Sequence, residues 1–382
     1  MKLERIVIVG GSIAGVTAAS TLRSAGWSGH LTLLSDEASP PYSRVPLSKG
    51  LLAGTQSTES VMLTGLPDDV DIRLASKAIG LCTNEREVIL ADHSSLSYDG
   101  LVIATGARAR RLARPDQPGE YVVRCLQDAT DLAEKLPLIT SAIVIGGGFL
   151  GMEIASTLID CGITVTVVTH RPPLSQLLGT WLSSYIVEVA KEAGVRFTVT
   201  DGPVELNGTP VSGVRLGDGT LLSADLVISA VGDIANTEWL AESGLRIEGG
   251  VNVDEHCLAA PGIVAAGDVA IREMPSGVLM RTPHWSNAIV QARTAALSLL
   301  DPHSYTHTPD HYFWTEQFGL DVKIAGELPL NGEPFEAREK PAGRSMLLNW
   351  LEGDMTTAVA AMNYRIPVAR MRAMVGSTHA PE

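Results

Sequence analysis

The sequence predicts an α/β protein with two doubly wound domains and a smaller α+β domain at the carboxyl terminus. Residues 5–19 and 141–155 carry this prediction, because each segment consists of an apolar strand, a glycine turn and a helical stretch. A second β-rich run follows each helix, at residues 30–35 and 163–168. Strands that are apolar on both faces are typical of a parallel sheet covered by helices on both sides. The repeated strand–turn–helix–strand unit therefore predicts two Rossmann-like dinucleotide-binding domains.

The rest of the chain completes these two units and adds a third domain. Residues 98–106 and 224–232 are corresponding strands that end in small residues, and each closes one unit. From about residue 303 scattered histidine, proline and aromatic residues lead into β-rich pieces, which predict the small domain. The predicted domains are residues 1–110 with 235–303, residues 111–234, and residues 304–382.

The composition limits the classes of partner. The 382 residues include 29 Lys and Arg against 43 Asp and Glu, and the formal net charge is −14. A strongly acidic chain repels nucleic-acid phosphates and anionic membranes, which excludes both as main partners. No apolar run reaches the roughly 18 residues of a transmembrane helix, and the apolar run near the amino terminus is too short for a signal peptide.

The four cysteines indicate a reducing, cytoplasmic location. Cys82, Cys125, Cys161 and Cys257 lie far apart in the sequence, with no C-x-x-C motif and no zinc-type spacing. This pattern argues against a disulfide framework and against a redox-active dithiol, and no metal site is predicted.

The first glycine turn has the spacing of a phosphate-binding loop. Gly10 and Gly15 hold the first and third positions of G-x-G-x-x-G, and Ser12 holds the second, where a small residue lets the backbone approach a pyrophosphate. Asp36 and Glu37 follow the next strand, where an acidic residue is expected to bind a ribose hydroxyl. The residues predicted for this site are Gly10, Ser12, Ala14, Gly15, Asp36 and Glu37.

The second glycine turn, at residues 146–151, matches G-x-G-x-x-G completely. The strand after it ends at Thr169, where the acidic residue expected of an NADH site is missing, and His170 and Arg171 follow. Because arginine pairs bidentately with phosphate, this strand end favours NADPH over NADH, with an ordinary solvated turn as the alternative. Two nucleotide sites in one chain predict a flavin and a nicotinamide, between which a hydride can pass.

A segment between these loops resembles a known family. Pro41–Lys49, P-Y-S-R-V-P-L-S-K, closely resembles the P-Y-x-R-P-P-L-S-K segment of FAD-dependent ferredoxin reductases, which serve Rieske-type dioxygenases and bacterial cytochromes P450. Further resemblances to the family lie at residues 123–129, 146–153, 265–270, 284–288 and 312–317. The resemblance implies a glutathione reductase fold with a C-terminal interface domain, FAD and NAD(P)H as cofactors, and a ferredoxin as partner. It also implies an oxygenase as the indirect partner, and a monomer or weak homodimer.

The resemblance implies roles for individual residues. Lys49 would lie near the isoalloxazine, Glu153 beside the nicotinamide and paired with Lys49, and Trp314 on the face that meets the electron acceptor. These three are the predicted catalytic residues. The residues implied to bind FAD are Arg44, Lys49, Thr105, Gly106, Arg124, Gly267, Asp268, His284 and Trp285. Those predicted for the nicotinamide nucleotide are Gly146, Gly148, Phe149, Leu150, Gly151, Glu153, His170, Arg171 and Gly232.

The implied activity is electron transfer from NAD(P)H through FAD to a ferredoxin that supplies an oxygenase. A flavoprotein with a sensing role, as in the related apoptosis-inducing factor, is the alternative. A flavin arm of a larger enzyme such as a nitrite reductase is a third interpretation, and the lack of an iron–sulfur cysteine cluster argues against it. Disulfide reduction is not expected, because residues 12–23 contain no cysteine.

An acidic ferredoxin needs a basic surface on this acidic chain. Two arginine clusters are the predicted docking candidates. The first consists of Arg108, Arg110, Arg111 and Arg114, and the second of Arg365, Arg370 and Arg372.

Overall fold

The structure is a computed structural model that describes residues 3–274, 277–339 and 344–378, with the backbone alone at 336–339. Its helices are α1 (Ile13–Ser24), α2 (Leu126–Lys135), α3 (Phe149–Asp160), α4 (Ser175–Glu192), α5 (Trp285–Leu300) and α6 (Val368–Met374). Short 3₁₀ turns lie at Val45–Ser48, Glu59–Val61, Leu136–Leu138 and Glu238–Leu240.

The strands of the first half of the chain are β1 (Arg5–Val9), β2 (His30–Leu34), β3 (Asp71–Arg73), β4 (Ala78–Cys82), β5 (Glu87–Leu90), β6 (Ser95–Ser97), β7 (Gly100–Ile103), β8 (Ala107–Ala109), β9 (Glu120–Tyr121), β10 (Ser141–Ile145) and β11 (Thr164–Thr169). Those that follow are β12 (Arg196–Val199), β13 (Glu205–Gly208), β14 (Val211–Arg215), β15 (Leu221–Ser223), β16 (Leu226–Ser229), β17 (Asp233–Ala235), β18 (Val251–Val253) and β19 (Leu258–Ala260). The last are β20 (Ile263–Ala265), β21 (Ala270–Glu273), β22 (Leu279–Met280), β23 (Tyr312–Gln317), β24 (Leu320–Gly326), β25 (Glu336–Glu339), β26 (Met346–Glu352) and β27 (Met355–Met362).

The chain forms two compact units. The first comprises Met1–Arg44, Thr58–Arg108 and Asp233–Asp310. The second comprises Val45–Ser57, Ala109–Gly232 and His311–Glu382. The three domain boundaries drawn from the sequence stay a prediction.

The first unit is built on a sheet with the strand order β19-β20-β7-β1-β2-β3. The pairs from β20 to β3 are parallel, and β19 is antiparallel to β20. The chain passes from β1 to β2 on one side and reaches β7 on the other, so the carboxyl end of β1 lies where the strand order reverses. Ligands of open parallel sheets bind at such a point.

Small residues let α1 and α5 pack closely against each other in the first unit. Ala18 and Ala19 of α1 and Ala292 and Ala295 of α5 are fully buried, and they share one core with the sheet residue Ile8. A second core contains residues of β4 and β5 together with Val7 and Val9 of β1, whose side chains alternate with that of Ile8. The middle of the sheet is therefore buried on both faces, which explains why β20 and β7 are apolar throughout and β1 is apolar after Arg5.

The second unit contains a sheet with the order β12-β11-β10-β16-β9, in which each of these neighbours is parallel. Helix α3 packs on β10 and β11, and the antiparallel sheet β13-β14-β15 shares a core with β10 and β16. Both predicted units are thus present, as β1–α1–β2 and β10–α3–β11.

The carboxyl-terminal part of the second unit is an antiparallel sheet with the order β23-β24-β27-β26-β25. Helix α6 covers it, because the buried Met371 packs against Ala325, Leu347 and Val359. This sheet and helix confirm the small α+β part, and with it the predicted fold class. In the described ranges, no helix combines the length and apolar character needed to cross a bilayer.

Candidate functional site

The first glycine loop packs so tightly that two of its positions require glycine. Gly10 follows β1 with φ of +125°, and a Cβ there would lie 2.1 Å from the carbonyl oxygen of Ala104. A Cβ on Gly15 would lie 1.9 Å from the carbonyl oxygen of Gly10. Ser12 is the N-cap of α1, and its side chain makes no capping hydrogen bond within the described structure. The loop therefore brings the amino terminus of α1 to the end of β1, an arrangement that favours a phosphate.

Two further strand ends lie at the same edge of this sheet. After β7, Thr105 Oγ1 donates to the carbonyl oxygen of Asn236 at 2.8 Å, and Asn236 Nδ2 donates to the carbonyl oxygen of Thr105 at 2.9 Å. After β20, Gly267 has φ of +80°, and a Cβ there would lie 3.1 Å from the Cβ of Ala14. The predicted residues that this edge brings together are Gly10, Ser12, Ala14, Gly15, Thr105, Gly106, Gly267 and Asp268.

The two acidic residues after β2, Asp36 and Glu37, differ in exposure and in hydrogen bonding. Asp36 is exposed, whereas Glu37 is half-buried. Glu37 accepts hydrogen bonds from Tyr42 Oη at 2.5 Å and from Arg44 Nη2 at 2.6 Å. The Arg44 guanidinium carbon also lies 5.3 Å from the centre of the Tyr42 ring. Glu37 is thus held by Arg44, which the sequence predicts to contact a cofactor itself.

His284 and Trp285 stand at the start of α5, with His284 as the N-cap. The Nδ1 atom of His284 lies 2.9 Å from the hydroxyl of Ser286. Burial lowers the pKa of His284 to about 4, although the carboxylates of Asp310 and Asp268 oppose this shift. The imidazole is therefore neutral at neutral pH and adds no charge to this part of the site.

The second glycine loop repeats the geometry of the first. Gly146 has φ of +114° and a Cβ there would lie 2.1 Å from the carbonyl oxygen of Ala230, while a Cβ on Gly151 would lie 2.0 Å from the carbonyl oxygen of Gly146. Gly148 differs, because its φ is −79° and a Cβ there would meet no protein atom within 4 Å. Protein packing does not require glycine at 148, so the open space fits the close approach of a pyrophosphate. Phe149 and Leu150 begin α3, and Gly232 follows β16.

The turn after β11 folds back towards this loop. Leu174 N–H donates to the carbonyl oxygen of Gly147 at 2.8 Å. Thr169 Oγ1 donates to the carbonyl oxygen of Arg171 at 2.9 Å, and His170 Nδ1 lies 3.0 Å from the carbonyl oxygen of Thr200. Both His170 and Arg171 are exposed. The Arg171 side chain therefore stands in solvent on a turn that is anchored to the glycine loop.

Lys49 and Glu153 form an ion pair of low exposure in the second unit. Lys49 Nζ lies 2.8 Å from Glu153 Oε2, and the two side chains are 19% and 11% exposed. Ser48 Oγ donates to the same oxygen at 2.8 Å, and Thr315 Oγ1 donates to Oε1 at 2.8 Å. Glu153 lies on α3, just after the complete glycine loop. The expected pairing of Lys49 with Glu153 is confirmed.

Trp314 lies on β23 and stacks on Tyr312, which Arg372 of the second arginine cluster contacts. The rings of Tyr312 and Trp314 stack with centroids 5.9 Å apart, and the Arg372 guanidinium carbon lies 5.4 Å from the centre of the Tyr312 ring. Phe313, which is on the other face of the strand, packs against Phe149 with ring centroids 4.0 Å apart. The predicted aromatic residue Trp314 and one arginine of the predicted basic cluster thus both contact Tyr312.

Contacts are also shown for Arg124 and for two arginines of the first cluster. The backbone N–H of Arg124 donates to the Asp128 carboxylate at 2.9 Å, which places Arg124 directly before α2. In the first arginine cluster, Arg108 Nη2 lies 2.5 Å from Glu238 Oε1, and Arg111 Nη1 donates to the carbonyl oxygen of Glu120 at 3.2 Å. Of the residues predicted to bind FAD, Lys49 and Arg124 belong to the second unit and the others to the first.

Several polar residues of these sites were not predicted. Ser48 and Thr315 bond to Glu153, and Gln291 Oε1 accepts a hydrogen bond from the N–H of Gly267 at 2.8 Å. Arg281 donates through Nε to the carbonyl oxygen of Asp268 at 2.9 Å. A signal existed for Ser48 and Thr315, because the family segments P-Y-x-R-P-P-L-S-K and Y-F-W-S-D-Q each carry a hydroxyl at these positions.

These arrangements fit two dinucleotides. Each glycine loop joins a buried strand to a helix amino terminus, and the space beside Gly148 leaves room for the close approach of a pyrophosphate. The Lys49–Glu153 pair supplies one cation and one anion of low exposure beside the second loop. Such fixed charges can orient and polarise a bound ring without themselves reacting.

Comparisons with known proteins agree with this geometry. Residues 4–292 match the family described as pyridine nucleotide-disulphide oxidoreductase, and residues 312–382 match the one described as reductase C-terminal. A probable ferredoxin reductase of Castellaniella defragrans is 32% identical over 390 residues, which cover 97% of this chain and 93% of that protein.

Two solved structures share the fold over nearly the whole chain. The crystal structure of a covalent putidaredoxin reductase–putidaredoxin complex matches with a TM-score of 0.84 and 30% identity, covering 97% of this chain and 93% of that one. The ferredoxin reductase for the CYP199A2 system of Rhodopseudomonas palustris matches with a TM-score of 0.88 and 29% identity, covering 98% of this chain and 96% of that one.

Proposed function

The chain belongs to the pyridine nucleotide-disulphide oxidoreductases, among the ferredoxin reductases, and on this premise we propose that it passes electrons from NAD(P)H through FAD to a small iron–sulfur ferredoxin. That ferredoxin in turn supplies a cytochrome P450 or a Rieske-type oxygenase. The observation that carries the proposal is the presence of two glycine loops of one geometry in a single chain, one of them open at Gly148. The four free thiols fit the reducing conditions of the cytoplasm.

FAD, when bound, accepts a hydride from a nicotinamide and returns the two electrons singly, which suits an iron–sulfur acceptor. We assign the first loop and its neighbouring strand ends to FAD, and the second loop to NAD(P)H. Lys49 supplies a positive charge that favours the reduced flavin, and Glu153 orients the nicotinamide. Trp314 marks the surface where the ferredoxin docks.

Disulfide reduction, which the family description also covers, does not suit this chain. Disulfide reductases of this fold use a pair of cysteines on an early helix, and α1 contains none. The described free cysteines, Cys82, Cys125, Cys161 and Cys257, form no close pair in the sequence. One-electron transfer to an external acceptor therefore fits the chain better than thiol chemistry.

Anaerobic stopped-flow reduction tests the proposal directly. The purified protein is expected to be yellow, to bleach with NADPH and more slowly with NADH, and to reduce cytochrome c only when a ferredoxin is added. The preference for NADPH rests on the exposed Arg171 and on the absence of an acid at Thr169. A protein that stays colourless after reconstitution would contradict the proposal. Slow bleaching without ferredoxin activity would instead favour a sensing flavoprotein.

The second arginine cluster is the better candidate for ferredoxin docking. Its three arginines are exposed, and Arg372 contacts Tyr312, whose ring stacks on Trp314. We expect the double substitution Arg365→Glu and Arg370→Glu to raise the KM for ferredoxin about tenfold, because two exposed ion pairs are each worth up to about 1 kcal/mol. The rate of NAD(P)H-driven ferricyanide reduction should not change.

A matched control for this prediction is the double substitution Arg110→Glu and Arg114→Glu in the first cluster. Its charge change is the same, and both arginines are also exposed. If this control raises the KM for ferredoxin and the other pair does not, docking belongs to the first cluster. If neither changes the KM, the role of both clusters is wrong.

A further inference from the structure

Strand β23 presents alternate side chains to two different environments. Thr315 is fully buried and Gln317 nearly so, whereas Glu316 between them is exposed. Phe313 and Thr315 share a face, and they contact Phe149 and Glu153, which both belong to α3. The inner face of β23 therefore lies against the helix that carries the proposed nicotinamide-orienting carboxylate.

The carboxylate of Glu153 is bound at both oxygens. Oε2 accepts from Ser48 Oγ and pairs with Lys49 Nζ, each at 2.8 Å. Oε1 accepts from Thr315 Oγ1, also at 2.8 Å. Lys49 and Ser48 bond to one side of the group, so the bond from Thr315 fixes the rotation of the carboxylate about its own axis.

Gln317 completes the hydrogen bonding of the Thr315 hydroxyl. Gln317 Nε2 donates to Thr315 Oγ1 at 3.1 Å. The Glu153 carboxylate, which pairs with Lys49, can only accept, so the hydroxyl donates its proton to Glu153 and accepts from Gln317. The amide oxygen of Gln317 is buried with no hydrogen-bond partner in the described structure. Donation through Nε2 is therefore the contact by which Gln317 acts on Thr315.

We propose that Thr315 is a positioning residue that locks the Glu153 carboxylate in the orientation needed to align the nicotinamide. This inference rests on the proposed function, because it takes Glu153 to lie beside the bound nicotinamide. Gln317 donates to Thr315, and Thr315 donates to Oε1 of Glu153, the carboxylate oxygen that neither Ser48 nor Lys49 contacts. Without it, the carboxylate keeps its charge pair with Lys49 but gains rotational freedom.

The substitution Thr315→Val tests the inference, since valine keeps the shape and removes only the hydroxyl. We expect the rate of flavin reduction at saturating NAD(P)H to fall about tenfold, as loss of a hydrogen bond to a charged group costs about 1.5 kcal/mol. The affinity for the oxidised nucleotide, measured by calorimetry, should weaken less than about threefold, since one such bond accounts for a small part of dinucleotide binding. Thr315→Ser should restore the wild-type rate.

Two further variants guard against a purely structural effect. Gln317→Leu should slow flavin reduction by a smaller factor, because the Thr315 hydroxyl remains but is no longer oriented. Thr356→Val is the matched control, because Thr356 is a buried threonine on β27 of the same sheet, 4% exposed, whose backbone bonds to Ser377 and Gly376. It should leave the reduction rate unchanged.

The outcomes separate this inference from the proposed function. A wild-type protein that NAD(P)H does not reduce contradicts the proposed function. A reducible wild-type protein whose Thr315→Val variant is reduced at the same rate contradicts the role of Thr315 alone. The same holds if Thr315→Ser is as slow as Thr315→Val, since the hydroxyl would then not be the group that matters. If Thr315→Val does not fold, an unchanged rate in Gln317→Leu counts against the inference.

Discussion

Gly148 and Gly151 lie in one loop but need glycine for different reasons. A Cβ on Gly151 would lie 2.0 Å from the carbonyl oxygen of Gly146, whereas a Cβ on Gly148 would have no neighbour within 4 Å. We therefore expect Gly151→Ala to destabilise the protein by about 1–3 kcal/mol through overpacking, and Gly148→Ala by no more than about 1 kcal/mol. Gly148→Ala should instead raise the KM for NAD(P)H at least about tenfold. Thermal melts and steady-state kinetics on the two variants check this, and a stable Gly148→Ala protein with normal KM would contradict it.

Individual residues also show where sequence reasoning succeeds. Lys49 and Glu153 were expected to pair on the basis of the family resemblance, and they do at 2.8 Å. Ser48 and Thr315 were not recognised as donors to the same carboxylate, because they lie 105 and 162 residues from it along the chain. The family segments contain a hydroxyl at both positions, but nothing in either segment says which distant carboxylate the hydroxyl would meet.

Among the helices, α1 and α5 depend on small side chains for their contact. Ala295 is fully buried in the core that these helices share with the sheet. Because protein cores are close-packed, Ala295→Leu should force the helices apart and lower the free energy of unfolding by about 1–3 kcal/mol. The exposed Ala369 of α6 offers a control, since Ala369→Leu adds the same atoms in solvent. Equal melting temperatures for the two variants would show that the helix contact tolerates the added volume.

Strand β23 shows what an element adds beyond its residues. Its period of two sends Tyr312 and Trp314 to one face and Phe313 and Thr315 to the other. The same strand thus carries the proposed ferredoxin-facing aromatic residue and the residue that we infer to position Glu153. The sequence marked residues 312–317 as a family segment, but it predicted neither the strand nor the helix that the inner face of the strand would meet.

The pH dependence of unfolding is a property of the whole molecule. His307 is 4% exposed, and burial lowers its pKa to about 4, with a smaller effect from Arg272. Its Nε2 lies 3.1 Å from Asn287 Oδ1, and Asn287 Nδ2 donates to Thr282 Oγ1 at 2.7 Å, so the neutral ring donates through Nε2. In the unfolded chain His307 binds a proton near pH 6.5, whereas in the folded chain it binds one only near pH 4.

The contribution of neutral His307 to the free energy of unfolding should therefore be fully present above about pH 6.5. It should decline as the pH falls towards 4, by about 3 kcal/mol in total. Urea unfolding at a series of pH values measures the decline. His307→Gln retains a donor for Asn287 without titrating, and its unfolding should depend less steeply on pH. His284, whose pKa is also about 4, adds a decline of its own that this variant keeps. An identical slope in the variant would show that His307 does not titrate as described.

The resemblance of Pro41–Lys49 to a known family implied FAD and NAD(P)H as cofactors, and the sequence by itself determined the fold class and the two glycine loops. These follow from local patterns, since apolar strands, glycine turns and helices of one dinucleotide-binding unit lie within some tens of residues. Only the tertiary structure decided how Glu153 is held, how Glu37 is bound by Tyr42 and Arg44, and that His284 is neutral. These depend on burial and on interatomic distances of about 3 Å, and no pattern of residue types along a chain specifies such quantities.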